Sequence, residues 1–212
     1  MPTQPFSETL FEQFCSRHGI PCKPIPTGLV RTPDFAIRLD GVRVVCEVKQ
    51  IDPNAEDLAE LQAVSSDETT GRFVPNRLRG KLKDVSGQLK AACLSGRPTM
   101  LVVYDNTPIK MYSVHLDVVE AMFGAHSVTV TTPKQGGAEP IVSEPFFGGN
   151  RGLTPRQNTS VSALAILNSG PLSELNLRVY HIPYASVVLP PELLEALPVE
   201  QYVIPGATTV RL

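Results

Sequence analysis

The 212-residue chain is 42% hydrophobic and 19% charged, with a formal net charge of −2, a profile that suits one soluble globular domain and excludes a disordered chain. That charge also excludes a general polycationic DNA wrapper, so any nucleic-acid contact must come from local patches. No apolar run reaches the roughly 18 residues a membrane span needs.

The N-terminus, MPTQPFSETLFEQF, lacks a basic start followed by an apolar run and is not read as a secretory signal. Cys15, Cys22, Cys46 and Cys93 are scattered without a CxxC pair, so reduced cytoplasmic thiols are expected rather than a disulfide framework or structural zinc. Phe6, Leu10, Phe11 and Phe14 follow 3-4 spacing and predict a helix from Pro5 to His18, stopped by Gly19. Ile20 to Pro26 carries three prolines and suits a short edge strand.

The stretch from Thr32 to Gln50, TPDFAIRLDGVRVVCEVKQ, reads as two strands joined by a tight turn at Asp40-Gly41, a dipeptide suited to positive φ. A two-residue loop sets Leu39 opposite Val42, and facing positions then sum to 81. Asp34 consequently faces Glu47, and the period of two puts Lys49 on the same face. The other face carries Phe35, Ile37, Leu39, Val42, Val44, Cys46 and Val48, and is the expected core face.

Asp52 as N-cap and Pro53 at the first helical position predict a second helix to about Val64. A polar loop, Ser65–Phe73, leads to a longer helix from Pro75 to about Leu94. Its apolar stripe is Leu78, Leu82, Val85, Leu89 and Cys93; the stripe beside it is Arg77, Lys81, Asp84 and Gln88. Arg72, Arg77, Arg79, Lys81, Lys83 and Lys90 stand against a single acid, Asp84, although Arg79 and Lys83 point away from the Arg77–Gln88 stripe. Thr99–Tyr104 reads as a buried strand.

Beyond it, strands are expected at Ile109–Ser113, Ser127–Thr131, Ser162–Leu167, Leu177–Ile182 and Tyr202–Ile204. Helices are expected at His115–Phe123 and Pro190–Leu197. The Gly/Pro-rich stretch Thr132–Asn158 is long for a structureless loop in a compact domain. Its FFGGNRGLTPRQN segment offers Arg151 and Arg156 for gripping a substrate or forming a dimer, with a structured connection as the plainer reading.

Pro33-Asp34, Glu47-Val48-Lys49 and the order helix, strand, hairpin, basic helix, buried strand resemble the PD-(D/E)XK nuclease superfamily over roughly Phe6 to Tyr104. The resemblance implies a restriction-endonuclease-like α/β core (αβββαβ, a mixed central sheet flanked by helices, about residues 5–105). A β-rich C-terminal elaboration, about 106–212, would complete a single domain. It implies that Asp34, Glu47 and the Val48 carbonyl hold Mg²⁺ or Mn²⁺, that Lys49 positions the nucleophile, and that Gln88 supports the metal water or a phosphate. Glu8 is the candidate extra acid from the first helix, with Glu12 as its rival.

Two facing carboxylates repel unless a cation lies between them, and hard oxygen ligands favour Mg²⁺ or Mn²⁺. Arg77, Lys81, Arg151 and Arg156 are the candidate phosphate contacts. The expected activity is metal-dependent hydrolysis of DNA, with RNA left open, in a restriction, repair or mobile-element setting; family habit adds the expectation of a homodimer. Two other readings stand beside it: a non-catalytic domain of this fold that binds nucleic acid or plays a structural part, and an unrelated α+β ligand-binding or interaction domain.

Overall fold

A seven-stranded mixed sheet with helices on both faces organises the protein. The computed structural model describes residues 4–26, 31–65, 76–107, 110, 113–132, 139–144, 146–169 and 174–204. In chain order come α1 (Phe6–Arg17), β1 (Cys22–Pro24), β2 (Phe35–Leu39), β3 (Val42–Ile51), α2 (Ala55–Ser65), α3 (Asn76–Leu94), β4 (Thr99–Asp105) and α4 (His115–Phe123). Four two-residue strands follow: β5 (His126–Ser127), β6 (Val130–Thr131), β7 (Ile141–Val142) and β8 (Phe146–Phe147). The chain then enters β9 (Ala163–Ser169), β10 (Leu175–His181), a 3-10 turn at Pro191–Leu194 and β11 (Val199–Val203).

The sheet order is β1-β2-β3-β4-β9-β10-β11. β1, β2 and β3 are antiparallel, β3, β4 and β9 run parallel, β10 reverses against β9, and β11 lies parallel to β10. The β-rich second half thus supplies three of the seven central strands and is part of the same sheet. At the hairpin, Asp40 (φ 43°) and Gly41 (φ 80°) both take positive φ, as a two-residue turn matching strand twist requires. Leu39 pairs with Val42 and Phe35 with Cys46, so facing positions sum to 81 as expected.

Alternation along the strands divides the core in two. One cluster joins Leu10, Phe11 and Phe14 of α1 to Phe35, Ile37, Val44, Cys46 and Val48. The other joins Leu78, Leu82, Val85 and Leu89 of α3 to Val45, Ile51, Leu101, Val103 and α4. Those four α3 side chains are completely buried, each contributing about 1.5–3 kcal/mol. Both faces of β3 are therefore core faces, which corrects the expectation of one buried and one open face. Periodicity shows which side chains share a face; it does not show that a helix returns to cover it.

Other boundaries shift for identifiable reasons. The N-cap of α2 is Asn54 rather than Asp52. Asn54 Oδ1 accepts from the Asp57 amide at 2.8 Å and Asp57 Oδ2 from the Asn54 amide at 2.9 Å, a reciprocal capping box. Asp52 instead accepts from Gln50 at 2.6 Å and Asn106 at 2.8 Å. The expected strand Ser127–Thr131 is broken into parts of β5 and β6, which pair with β8 and β7. Residues 66–75, which hold most of the Ser65–Phe73 loop and Arg72, lie outside the described residues, as do Ile109, Met111 and Tyr112 of the Ile109–Ser113 strand. Lys110 and Ser113 are described and are not in a strand.

Candidate functional site

Asp34 immediately precedes β2, and the hairpin register carries it opposite Glu47. Its Oδ2 accepts from the Val48 amide at 2.7 Å, while its main-chain carbonyl accepts from Ile25 at 2.8 Å. Glu47 lies in the middle of β3, beside Leu101 of β4 in register and with no solvent exposure. Lys49, two residues on along the same face, donates to Glu47 Oε1. Gln88 Nε2 donates to that same oxygen at 2.7 Å. The expected register pairs Asp34 with Glu47, and Lys49 and Gln88 both reach Glu47, on a sheet face that α3 covers rather than an open one.

Burial pushes the Glu47 carboxyl up, and the Asp34 charge adds to this against the opposing hydrogen bonds from Lys49 and Gln88. Glu47 Oε2 and Gln88 Oε1 are both buried and have no hydrogen-bond partner among the described residues. Each such atom costs about 1–3 kcal/mol. Two unpartnered hard oxygens, one of them anionic, are chemically suited to a small divalent cation. Among the described residues no three His, Cys, Asp or Glu side chains gather to hold a metal. The donor set does not suit a closed structural zinc site; the class of ion it would fit is a Mg²⁺-type ion, which binds through one or two carboxylates and keeps several waters.

The end of β3 is tied to its neighbours. The Ser7 amide at the start of α1 donates to Gln50 Oε1 at 3.1 Å, fixing the helix against the strand. Glu8, in the first turn, is half-buried; burial raises its pKa first, Asp34 and Glu47 raise it further, and Lys49 opposes them. Glu12 accepts from Gln4 at 2.8 Å. Glu8 is thus the acid of the first helix that senses all three charged site residues.

The candidate phosphate contacts separate. Lys81 is half-buried on α3, and its pKa is lowered by burial and then by the charges of Lys49 and Arg77, so it belongs to the same electrostatic cluster. Arg77 is engaged with buried Asp57 at 2.6 Å. Arg79 is buried, donating to Asn76 at 2.5 Å and to the Glu120 carbonyl at 3.3 Å. Arg151 donates to the Gly148 and Phe147 carbonyls at 3.0 and 2.8 Å, bracing its own segment.

Gly152 follows where that segment packs on α4; an added Cβ would lie 2.4 Å from the Ala121 carbonyl oxygen. Arg156 is exposed at the tip of the small turn closed by Thr154 and Gln157. Residues 146–158 are structured, as the plainer reading of a structured connection expects.

Sequence reasoning passed over Arg38 and Arg43. They face each other across β2 and β3 and share the sheet face of Asp34 and Glu47. The signal was available, because 38 and 43 also sum to 81. A cavity of about 330 Å³ opens there, lined by these two arginines together with Lys23, Pro24, Pro26 and Ala36. No protein-family model matches the chain, and no curated protein or solved structure matches it.

Proposed function

We propose that the protein is a metal-dependent nuclease with a restriction-endonuclease-like core, hydrolysing DNA phosphodiester bonds. The observation that carries the reading is the buried, incompletely satisfied Glu47 carboxylate facing Asp34, with Lys49 and Gln88 converging on one of its oxygens. Support also comes from the element order α1, β1, β2, β3, α2, α3, β4, which is that of the superfamily the motif resembles apart from the additional helix α2.

In this reading Asp34, Glu47 and the Val48 carbonyl would hold Mg²⁺ or Mn²⁺, which would supply Lewis acidity toward the phosphoryl oxygen and lower the pKa of bound water. The Val48 amide fixes the Asp34 carboxylate through its hydrogen bond. Lys49 orients the attacking water and offsets charge developing on the phosphoryl oxygens. Gln88, anchored on α3, keeps Glu47 in its rotamer, and Glu8 adds negative potential at the rim.

The test is incubation of the pure protein with duplex DNA, single-stranded DNA and RNA in Mg²⁺ or Mn²⁺, alongside Asp34→Ala and Lys49→Ala. Each substitution is expected to reduce cleavage by about 10²–10³-fold or more. Calorimetric titration should show Mn²⁺ binding that is lost in Asp34→Ala. Cleavage at the wild-type rate in both variants would overturn the proposal.

A further inference from the structure

Like charges directly opposite each other on antiparallel strands are destabilising, yet Arg38 and Arg43 form such a pair. Lys23, opposite Ala36 on β1, adds a third cation to the same sheet face. All three are exposed, and no carboxylate among the described residues pairs with any of them. They line the 330 Å³ cavity. Its walls are Pro21, Pro24 and Pro26, whose fixed φ makes the groove rigid before anything enters it. The small Ala36 side chain leaves its floor open. A preformed cationic groove loses little freedom on binding an extended polyanion.

Its direction narrows the occupant. Asp34, Ala36 and Arg38 form one row along β2, so the arginine pair lies about 13 Å from the acid pair at strand spacing. At about 3.4 Å of rise per nucleotide, this corresponds to about four nucleotides of a duplex strand. Lys81, on α3, feels the charges of Lys49 and Arg77.

We infer that the Lys23–Arg38–Arg43 groove is the backbone-phosphate subsite for the nucleic-acid strand presented to Asp34 and Glu47. The inference rests on the nuclease reading and adds where the strand runs. Contacts of this kind position a strand without reading its sequence.

The experiment is fluorescence anisotropy with a labelled duplex of about 20 base pairs, long enough to span the groove, and a single strand of equal length. The full chain is used, in EDTA, across a range of NaCl concentrations. The double variant Arg38→Ala/Arg43→Ala should bind roughly tenfold more weakly at low salt, and the slope of log affinity against log salt should shrink by about 2. Its melting temperature should be no lower than wild type and its Mn²⁺ affinity unchanged. Arg17→Ala, on α1 over the opposite sheet face, should bind like wild type.

Wild-type affinity and salt slope in the double variant, an equal loss in Arg17→Ala, or no DNA binding by the wild-type protein would overturn the groove. None of these results bears on Asp34-dependent Mn²⁺ binding. Conversely, groove-dependent DNA binding together with cleavage and Mn²⁺ binding that ignore Asp34 would remove the nuclease reading and leave the groove as a nucleic-acid surface.

Discussion

The β2–β3 hairpin carries two like-charge pairs in the same register, acidic Asp34 and Glu47 at one end and basic Arg38 and Arg43 at the other. The acidic pair sits partly under α3, with Glu47 fully buried and contacted by Lys49 and Gln88. The basic pair is solvated, outside the apolar cluster that α3 builds. Repulsion between solvated charges is screened and small, whereas a buried carboxylate is felt at a low effective dielectric. The same cross-strand pattern is therefore minor for stability at one end and substantial at the other. A buried carboxylate facing a second, half-buried acid is retained against a real energetic penalty, which is the stronger sign of a role in chemistry.

The largest expected effect comes from removing the cation beside Glu47. Lys49→Met keeps most of the stem and deletes the charge, leaving a buried carboxylate with Gln88 alone. Loss of one partner of a buried ion pair costs about 3–5 kcal/mol; Lys49 is 18% exposed, so about 2–3 kcal/mol is expected at pH 8, read by urea denaturation.

The pH dependence gives the check. Glu47 has its pKa raised above the ordinary 4.5 in the folded chain. Below that value both folded and unfolded chains hold the proton. As pH climbs from 4.5 to the raised value, the folded chain retains a proton the unfolded chain has released, so stability falls across this window and then levels. Lys49 opposes the rise, so in Lys49→Met the decline should extend to higher pH, and the deficit should vanish in acid. A pH-independent deficit would mean that packing of the lysine stem, not the carboxylate, is at stake.

The acid pair was legible in the sequence because a two-residue Asp-Gly turn leaves one register, and one register fixes every facing pair. Gln88 was legible because helical spacing put it beside the stripe of Leu82, Val85 and Leu89. The cover over Glu47 was not, since it depends on α3 returning across Val45 and Ile51, a contact between segments far apart in sequence. The break between β5 and β6 was hidden for a similar reason. Ser127–Thr131 alternates like one strand, but its partners come from two other segments, Ile141–Val142 and Phe146–Phe147. Arg151 looked available because sequence shows a charge and not the carbonyls that it braces. Arg38 and Arg43 were within reach of the register that pairs Asp34 with Glu47, because 38 and 43 obey the same sum.

A smaller effect follows from neutralising the other acid. Asp34→Asn retains an oxygen to accept from the Val48 amide and removes a charge that pushes up both Glu47 and Glu8. Without divalent cation the variant should be up to about 1 kcal/mol more stable than wild type near neutral pH. With Mn²⁺ the order should reverse, because the wild-type protein alone gains from binding. Thermal melts with and without the ion read both. Equal shifts in the two proteins would show that the ion does not engage this pair.

The smallest effect belongs to the basic end. Arg43→Glu turns a facing like-charge pair into an opposite-charge pair at an exposed position. Exposed pairs of this sort contribute about 0.2–1 kcal/mol, so a gain of a few tenths of a kcal/mol is expected, diminishing as salt is added. The gain should be absent in an Arg38→Ala background, since a double-mutant cycle isolates the cross-strand term. A substitution that makes the fold slightly more stable while weakening DNA binding separates the two ends of the hairpin by purpose. At the acid end, a buried carboxylate faces a second acid at a cost in stability. At the arginine end, two exposed cations face each other with a small, screened repulsion, which a phosphate backbone would relieve on the proposed reading.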